Sequence, residues 1–122
     1  MISKQIGYLG EKLAAEYLQK LQYQILQTNF TALGGEIDII AMKDESYRFI
    51  EVKTSANSIV KPVEMISRKK IVHLRHIATV WLTRNGKSIY DDNFGFDFVG
   101  IELESPSLQI KSIEFIKDFL IN

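Results

Sequence analysis

Apolar residues recur along this chain with two periods, and the switches between them outline the fold. From Ser3 to Leu21 the apolar positions Ile6, Leu9, Leu13, Ala14, Tyr17, Leu18 and Leu21 follow helical spacing, with Ser3 as a candidate N-cap. Gly7 and Gly10 each cost a helix interior roughly 1 kcal/mol relative to Ala, so they predict close backbone approach to a sheet or a ligand. Period two takes over in Tyr23–Asn29, Glu36–Met42 and Tyr47–Thr54, which predict three strands. Gly34-Gly35 punctuates the first connection, and the polar Lys43-Asp44-Glu45-Ser46 marks a hairpin in the second. Residues 55–66 read as a loop. A second helix, capped by Ser67 and closed by Asn85-Gly86, carries a buried stripe of Ile71, Leu74, Ile77, Ala78 and Trp81. Lys70 falls inside that stripe, while Arg68, Lys69, Arg75 and His76 lie on or toward the other side. Phe96–Leu103 and Leu108–Ile113 predict two more strands, and residues 114–122 a short helical turn. The order α-β-β-β-α-β-β predicts an α/β sandwich around one mixed sheet, in a single domain over residues 1–122.

Composition narrows the class without naming a chemistry. At 46% hydrophobic and 25% charged, the 122 residues suit a globular domain, and disorder is not expected. No cysteine is present, which excludes disulfides, thiolate metal sites and Cys nucleophiles. No apolar run is long enough for a membrane span and the first residues lack a signal-peptide core, so the expected location is cytoplasmic.

Fifteen basic groups balance fifteen acidic ones, but unevenly along the chain. Residues 1–60 carry six basic groups and seven acids, residues 61–90 seven basic groups and one acid, and residues 91–122 two basic groups and seven acids. The basic middle, on and around the second helix, is either a solvated helix face or a surface for a polyanion.

The strands hold charges where apolar residues are expected. Strict alternation places Glu36, Asp38 and Ile40 on one face and Ile37, Ile39 and Ala41 on the other. Glu51 and Lys53 share a face with Phe49, and antiparallel pairing brings Asp38 beside Glu51 and Lys53. An ordinary surface ion pair next to turn-proximal acids gives the same pattern. The apolar flanks of both strands favour instead a carboxylate nest for a hard cation, Mg²⁺ or Mn²⁺, with Lys53 aimed at the same centre.

Five segments in order carry a resemblance: Gly7-x-x-Gly10-Glu11-x-x-Ala14, Gly35-Glu36-Ile37-Asp38-Ile39-Ile40-Ala41, Phe49-Ile50-Glu51-Val52-Lys53-Thr54, Ser67-x-x-Lys70 and Phe96-Asp97-Phe98-Val99. Over nearly its whole length the chain resembles the YraN-like bacterial proteins of the PD-(D/E)XK nuclease superfamily, whose core is similar to archaeal Holliday-junction resolvases and restriction endonucleases. The resemblance implies a restriction endonuclease-like αβββαβ core, with a central mixed sheet flanked by helices. It implies metal binding by Asp38, Glu51 and the Val52 carbonyl, a catalytic Lys53, and supporting roles for Glu11 and Lys70. It also implies phosphodiester hydrolysis in DNA, branched or structured, and a homodimer as in related resolvases. Arg68, Lys69, Lys70 and Arg75 are the candidate nucleic-acid contacts. Family members usually carry arginine where this chain has Thr31, Ser55 and Gly95, which implies a weaker hold on nucleic acid. The alternative is a module that keeps the nuclease fold and binds nucleic acid or a protein without cutting.

The remaining candidates have plainer readings. His73 and His76 are either a ligand pair or a helix flank, and no acid or third histidine is placed with them. Asp91-Asp92-Asn93 reads as a solvated turn, and Trp81 and Tyr17 as core.

Overall fold

A computed structural model describes residues 3–56 and 60–120. The chain forms helix α1 (Ser3–Lys20), strands β1 (Gln24–Ala32), β2 (Gly35–Lys43) and β3 (Ser46–Ser55), helix α2 (Arg68–Arg84), and strands β4 (Phe94–Leu103) and β5 (Ile110–Ile116). The five strands make one sheet in the order β1-β2-β3-β4-β5. Hairpins join β1 to β2 and β2 to β3 in antiparallel pairs, β3 and β4 run parallel, and β4–β5 is antiparallel again. A parallel pair needs a long crossover, and α2 supplies it. The result is the expected mixed sheet flanked by two helices, compatible with an αβββαβ core.

Each helix covers one face of the sheet. Ala14 and Leu18 of α1 pack on Ile39, Ala41, Ile50, Val52, Val99 and Ile101. Leu74, Ile77, Ala78, Trp81 and Leu82 of α2 pack on Ile37, Ile40, Phe49 and Phe96. Trp81 is core as expected, with its indole N–H donated to Gln27 Oε1 at 2.9 Å. Tyr17 leans on Phe115. Gly10 is where α1 meets the sheet, since a Cβ there would run into the side chain of Thr54. Gly7 does not serve that purpose: a Cβ there would meet nothing within 4 Å.

Several expectations give way. Ser3 is the first residue of α1 rather than its cap, and Leu21 lies exposed beyond the helix. The 55–66 segment contains a 3-10 turn at Pro62–Met65, with residues 57–59 outside the described part. The C-terminal segment is not helical: β5 runs on to Ile116, because Ile113 and Phe115 alternate onto the α1-side core, and residues 117–120 are turn and coil. The alternation in β2 is not strict either. Ile37 and Ile40 share the α2-side core while Ile39 and Ala41 share the other, so the faces slip by one residue around Asp38.

Both β-hairpins turn through two residues with positive φ, Leu33-Gly34 (54° and 74°) and Asp44-Glu45 (49° and 63°), the type I′ geometry that suits the strand twist. Asp accepts such a conformation readily. A leucine there costs on the order of 1–2 kcal/mol.

Candidate metal and phosphate site

The slip around Asp38 coincides with an opening in the sheet. The β2–β3 ladder begins at Ile39↔Ile50, one step short of where Asp38 would face Glu51. The backbone N–H of Val52 is turned instead to the Asp38 side chain and donates to Oδ2 at 2.8 Å. On the other side, Asn29 of β1 holds a positive φ of 53° and donates from its amide to Glu11 Oε1 and Glu36 Oε1, both at 2.7 Å. Carboxylate oxygens of Glu11, Glu36 and Asp38 thereby come within 4.8 Å of one another.

Glu51 stands across the opening, 1% exposed. Its Oε1 lies 3.6 Å from Lys53 Nζ and 3.7 Å from Lys70 Nζ. Its Oε2 is buried without a hydrogen-bond partner. All of these groups except Asn29 line one cleft of about 300 Å³, closed by Gly7 of α1 and by Met65. Four carboxylates therefore face two ammonium groups in a half-closed space.

That crowding shows in the acids themselves. Burial first, and then the negative charge of Glu51, push the Asp38 carboxyl up to about 8; the Val52 N–H works in the opposite direction. Glu51 is also raised, by burial, although Lys70 and Lys53 pull it down. Two such groups cannot both ionise cheaply without further positive charge.

The expected residues are thus brought together: Glu11, Asp38, Glu51, Val52, Lys53 and Lys70 all line the cleft. The tightest acid group is Glu11–Glu36–Asp38, with Glu51 drawn toward the lysines rather than paired side by side with Asp38. The described contact of Val52 is through its N–H. Glu36 and Asn29 are additions. The alternation already placed Glu36 with Asp38, whereas only an asparagine inside a strand hinted at Asn29.

Cation placement divides the basic helix. Ser67 Oγ accepts from Lys70 N at 3.1 Å, a capping bond that sets the first turn of α2 beside the cleft. Arg68 and Lys69 are exposed there, and Lys69 and Lys70 line the space in front of Gly34, Gly35 and His73. Arg75 is not on that surface: its guanidinium donates to Leu120 O at 3.0 Å and lies over the Phe96 ring. Of the three positions where arginine was expected, only Thr31 is exposed, in a groove that adjoins the cleft at Glu36 and Lys70. Ser55 is buried, and a Cβ at Gly95 would stand 2.6 Å from an Arg48 nitrogen, so neither presents a side chain to a phosphate surface. His73 lies against Gly35, and its Nε2 is enclosed without a partner. Among the described residues no clustered group of metal-ligand type includes a histidine.

A second buried charge cluster was not foreseen. Asp97, 0% exposed, accepts from Arg48 Nε at 2.9 Å, from Arg48 Nη2 at 2.5 Å, from the Tyr23 hydroxyl at 2.9 Å and from the Asp118 N–H at 2.9 Å. Arg48 also pairs with the Asp118 carboxylate. Burial works against the Arg48 charge, and the bonds to Asp97 and Asp118 outweigh it and hold the guanidinium above its usual range. Burial, then Asp97, raises the Tyr23 phenol.

No helix among the described residues is long and apolar enough to cross a membrane. The profile of a family described as "Uncharacterised protein family UPF0102" matches residues 10–101. A UPF0102 protein of Clostridium perfringens is 38% identical over 117 residues, covering 95% of this chain and 93% of its own length. One from Alkaliphilus oremlandii is 35% identical over 114 residues, covering 93% and 97%. One from Geobacter sulfurreducens is 38% identical over 105 residues, covering 85% and 80%. The matched span begins at the glycine that seats α1 on the sheet and ends in β4, so it contains every acid and lysine of the cleft, and the chain belongs to the UPF0102 family.

Proposed function

We propose that this protein hydrolyses phosphodiester bonds in DNA with a bound divalent cation, as a member of the PD-(D/E)XK nuclease superfamily. The observation that carries this reading is the Glu51 carboxylate: buried, with one oxygen unpartnered, in a cleft where a neighbouring acid is already pushed up to about 8. A buried acceptor with no donor costs stability unless something fills the gap. The donor set is all oxygen, which fits Mg²⁺ or Mn²⁺.

Asp38 and Glu51 would hold the ion with the Val52 carbonyl, and Glu11 and Glu36 would add charge from the α1 side. Bound there, the ion would supply Lewis acidity at a phosphate and acidify a water. The rest is done by this chain's own groups. The Val52 N–H fixes the orientation of Asp38 through Oδ2. Asn29 keeps Glu11 and Glu36 turned into the cleft. Lys53, partly exposed in the cleft, would donate to an attacking water or to a phosphoryl oxygen. Lys70 offers a second ammonium from α2, whose first turn contains no acid to repel a phosphate.

The test is cleavage of linear, nicked and branched DNA in Mg²⁺ or Mn²⁺, by wild type and by Asp38→Ala, Glu51→Ala and Lys53→Ala variants that remain folded. Loss of at least about a hundredfold in each variant is expected. Equal rates in wild type and Glu51→Ala would end the proposal. Salt-dependent binding with no cleavage would favour the second reading, a DNA-binding module; the exposed Thr31 in the groove beside the cleft, where relatives were expected to place an arginine, speaks for it.

A further inference from the structure

The tip of the β1–β2 hairpin is built against its own chemistry. Leu33 is 59% exposed and sits at φ 54°, a conformation that favours Asn or Gly over a branched apolar side chain. The comparable turn at Asp44-Glu45 is polar. A leucine here combines a strained backbone with an unburied side chain, which makes it a candidate for a contact outside the fold.

The surroundings specify an occupant. Ala32 and Gly34, on either side of Leu33, line a groove whose other wall is Lys70. One end of the groove passes Gly34 and Gly35 to Ser67, Lys69 and His73. The other end passes Glu36 into the acid cleft, and Lys70 borders the whole length. The hairpin meets α2 right beside the turn: a Cβ on Gly35 would stand 2.5 Å from His73 Cδ2 and 2.7 Å from Ile77 Cδ1. An exposed apolar tip therefore stands beside a lysine-walled groove that leads to the carboxylates. A phosphate backbone suits the lysines but offers nothing to a leucine, whereas a base step does. Apolar side chains, leucine among them, enter DNA as wedges between bases. The cost of unstacking is lowest where the stack is already interrupted.

We propose that Leu33 is a specificity-determining wedge, which selects DNA with an interrupted base stack, such as a bulge, mismatch or gap, close to the phosphate held at the acid cleft. This rests on the DNA reading above. Only Gly34 of the turn and Gly35, the first residue of β2, separate Leu33 from Glu36 of the cleft.

The test compares wild type, Leu33→Asn and Leu33→Met. Binding is measured by anisotropy in Ca²⁺, to a duplex with a three-nucleotide bulge and to the same duplex fully paired, with 2-aminopurine beside the bulge. Wild type is expected to prefer the bulge at least tenfold and to raise the 2-aminopurine emission. Leu33→Met should keep that preference. Leu33→Asn, whose side chain suits the turn, should melt no lower than wild type, bind the paired duplex within twofold, and lose the preference to twofold or less. A preference that survives Leu33→Asn, an absent preference in wild type, or equal loss on both duplexes would overturn the wedge. Self-association of wild type that Leu33→Asn abolishes would also overturn it, by assigning the leucine to a second copy. Bulge preference without cleavage in Mg²⁺ or Mn²⁺ would leave the wedge standing and remove the hydrolytic reading. Cleavage of both duplexes alike would do the reverse.

Discussion

Strand β3 carries two buried charges, Arg48 and Glu51, about 10 Å apart and in opposite circumstances. Arg48 meets an Asp97 that also receives a phenol and a backbone N–H, so every group in that cluster has a partner of the complementary kind. Glu51 sits among other acids, holds its two lysines only at 3.6 and 3.7 Å, and leaves one oxygen bare. The first cluster ties β3, β4 and the turn after β5 together and consumes its own charge. The second keeps charge unspent at a surface opening. A satisfied network explains itself by stability, and an unsatisfied one points to something that binds.

Removing one partner from each cluster separates them most strongly. Asp97→Ala leaves the Arg48 guanidinium in the core with Asp118 as its remaining carboxylate and a hydrogen bond to Ser46 Oγ, and should destabilise by about 3–5 kcal/mol, read as a large drop in melting temperature. Glu51→Gln removes a charge that burial already disfavours, so it should melt at or above wild type while losing the proposed cleavage. If the two variants lose similar stability, the distinction between the clusters fails.

Adding a cation is the next largest lever. Mn²⁺ at a hundred times its dissociation constant should stabilise the folded chain by about 2.7 kcal/mol. That gain should vanish in Glu51→Gln and persist in a folded variant of the other cluster, Tyr23→Phe. A shift of equal size in Glu51→Gln would place the ion elsewhere.

The sequence made one cluster much easier to see than the other, for a physical reason. Acids and a lysine on apolar strands stand out against their neighbours, so alternation singles out Asp38, Glu51 and Lys53, while Glu11 comes from the family resemblance and Lys70 from that resemblance together with its inward helical position. Asp97 lay in plain view within Phe96-Asp97-Phe98-Val99, but its partners Arg48, Tyr23 and Asp118 are 49, 74 and 21 residues distant, and only the sheet order brings them together. Asn29 depends on a local departure from regular strand geometry, its positive φ, which alternation assumes away, and the irregularity at Asp38 breaks the side-by-side pairing with Glu51 that alternation predicts. Arg75 looked like a free surface cation because helical periodicity knows nothing of the carbonyl at Leu120 that takes its guanidinium. Elements of period two or 3.6 were readable where one core face dominates. The C-terminal strand was cut short because its partner is β4, and the short apolar stretch by itself did not decide between strand and helix.

Acidity gives a third, smaller comparison. The Asp38 carboxyl is raised to about 8 in the fold, chiefly by burial, against an unfolded value near 4. The folded state therefore holds a proton that the unfolded chain has released. Stability from the neutral carboxyl is fully present below about pH 4 and is lost as pH rises through about 8. Asp38→Asn cannot ionise and can still accept from the Val52 N–H. Without metal it should be more stable than wild type by roughly 2 kcal/mol at pH 9, with little difference at pH 4. Parallel stability profiles for the two proteins over that range would refute the assignment of the strain to Asp38.

Tyr23 makes the smallest test and the cleanest contrast. Tyr23→Phe deletes one of the donors to Asp97 and keeps the ring against Phe115, so at neutral pH it should cost about 1 kcal/mol. The phenol is also raised in the fold, by burial and then by Asp97, so its contribution is present below the unfolded value near 10 and declines as pH climbs beyond it. The gap between wild type and Tyr23→Phe should accordingly hold steady from pH 5 to 9 and narrow above 10, where the Asp38 effect is already complete. Urea melts of the two single variants and the double variant across this range would read both clusters at once. Additive effects, a gain from Asp38→Asn and a loss from Tyr23→Phe with separate pH windows, are expected of two independent clusters on one strand, and a coupling of more than about 0.5 kcal/mol would mean that β3 transmits between them.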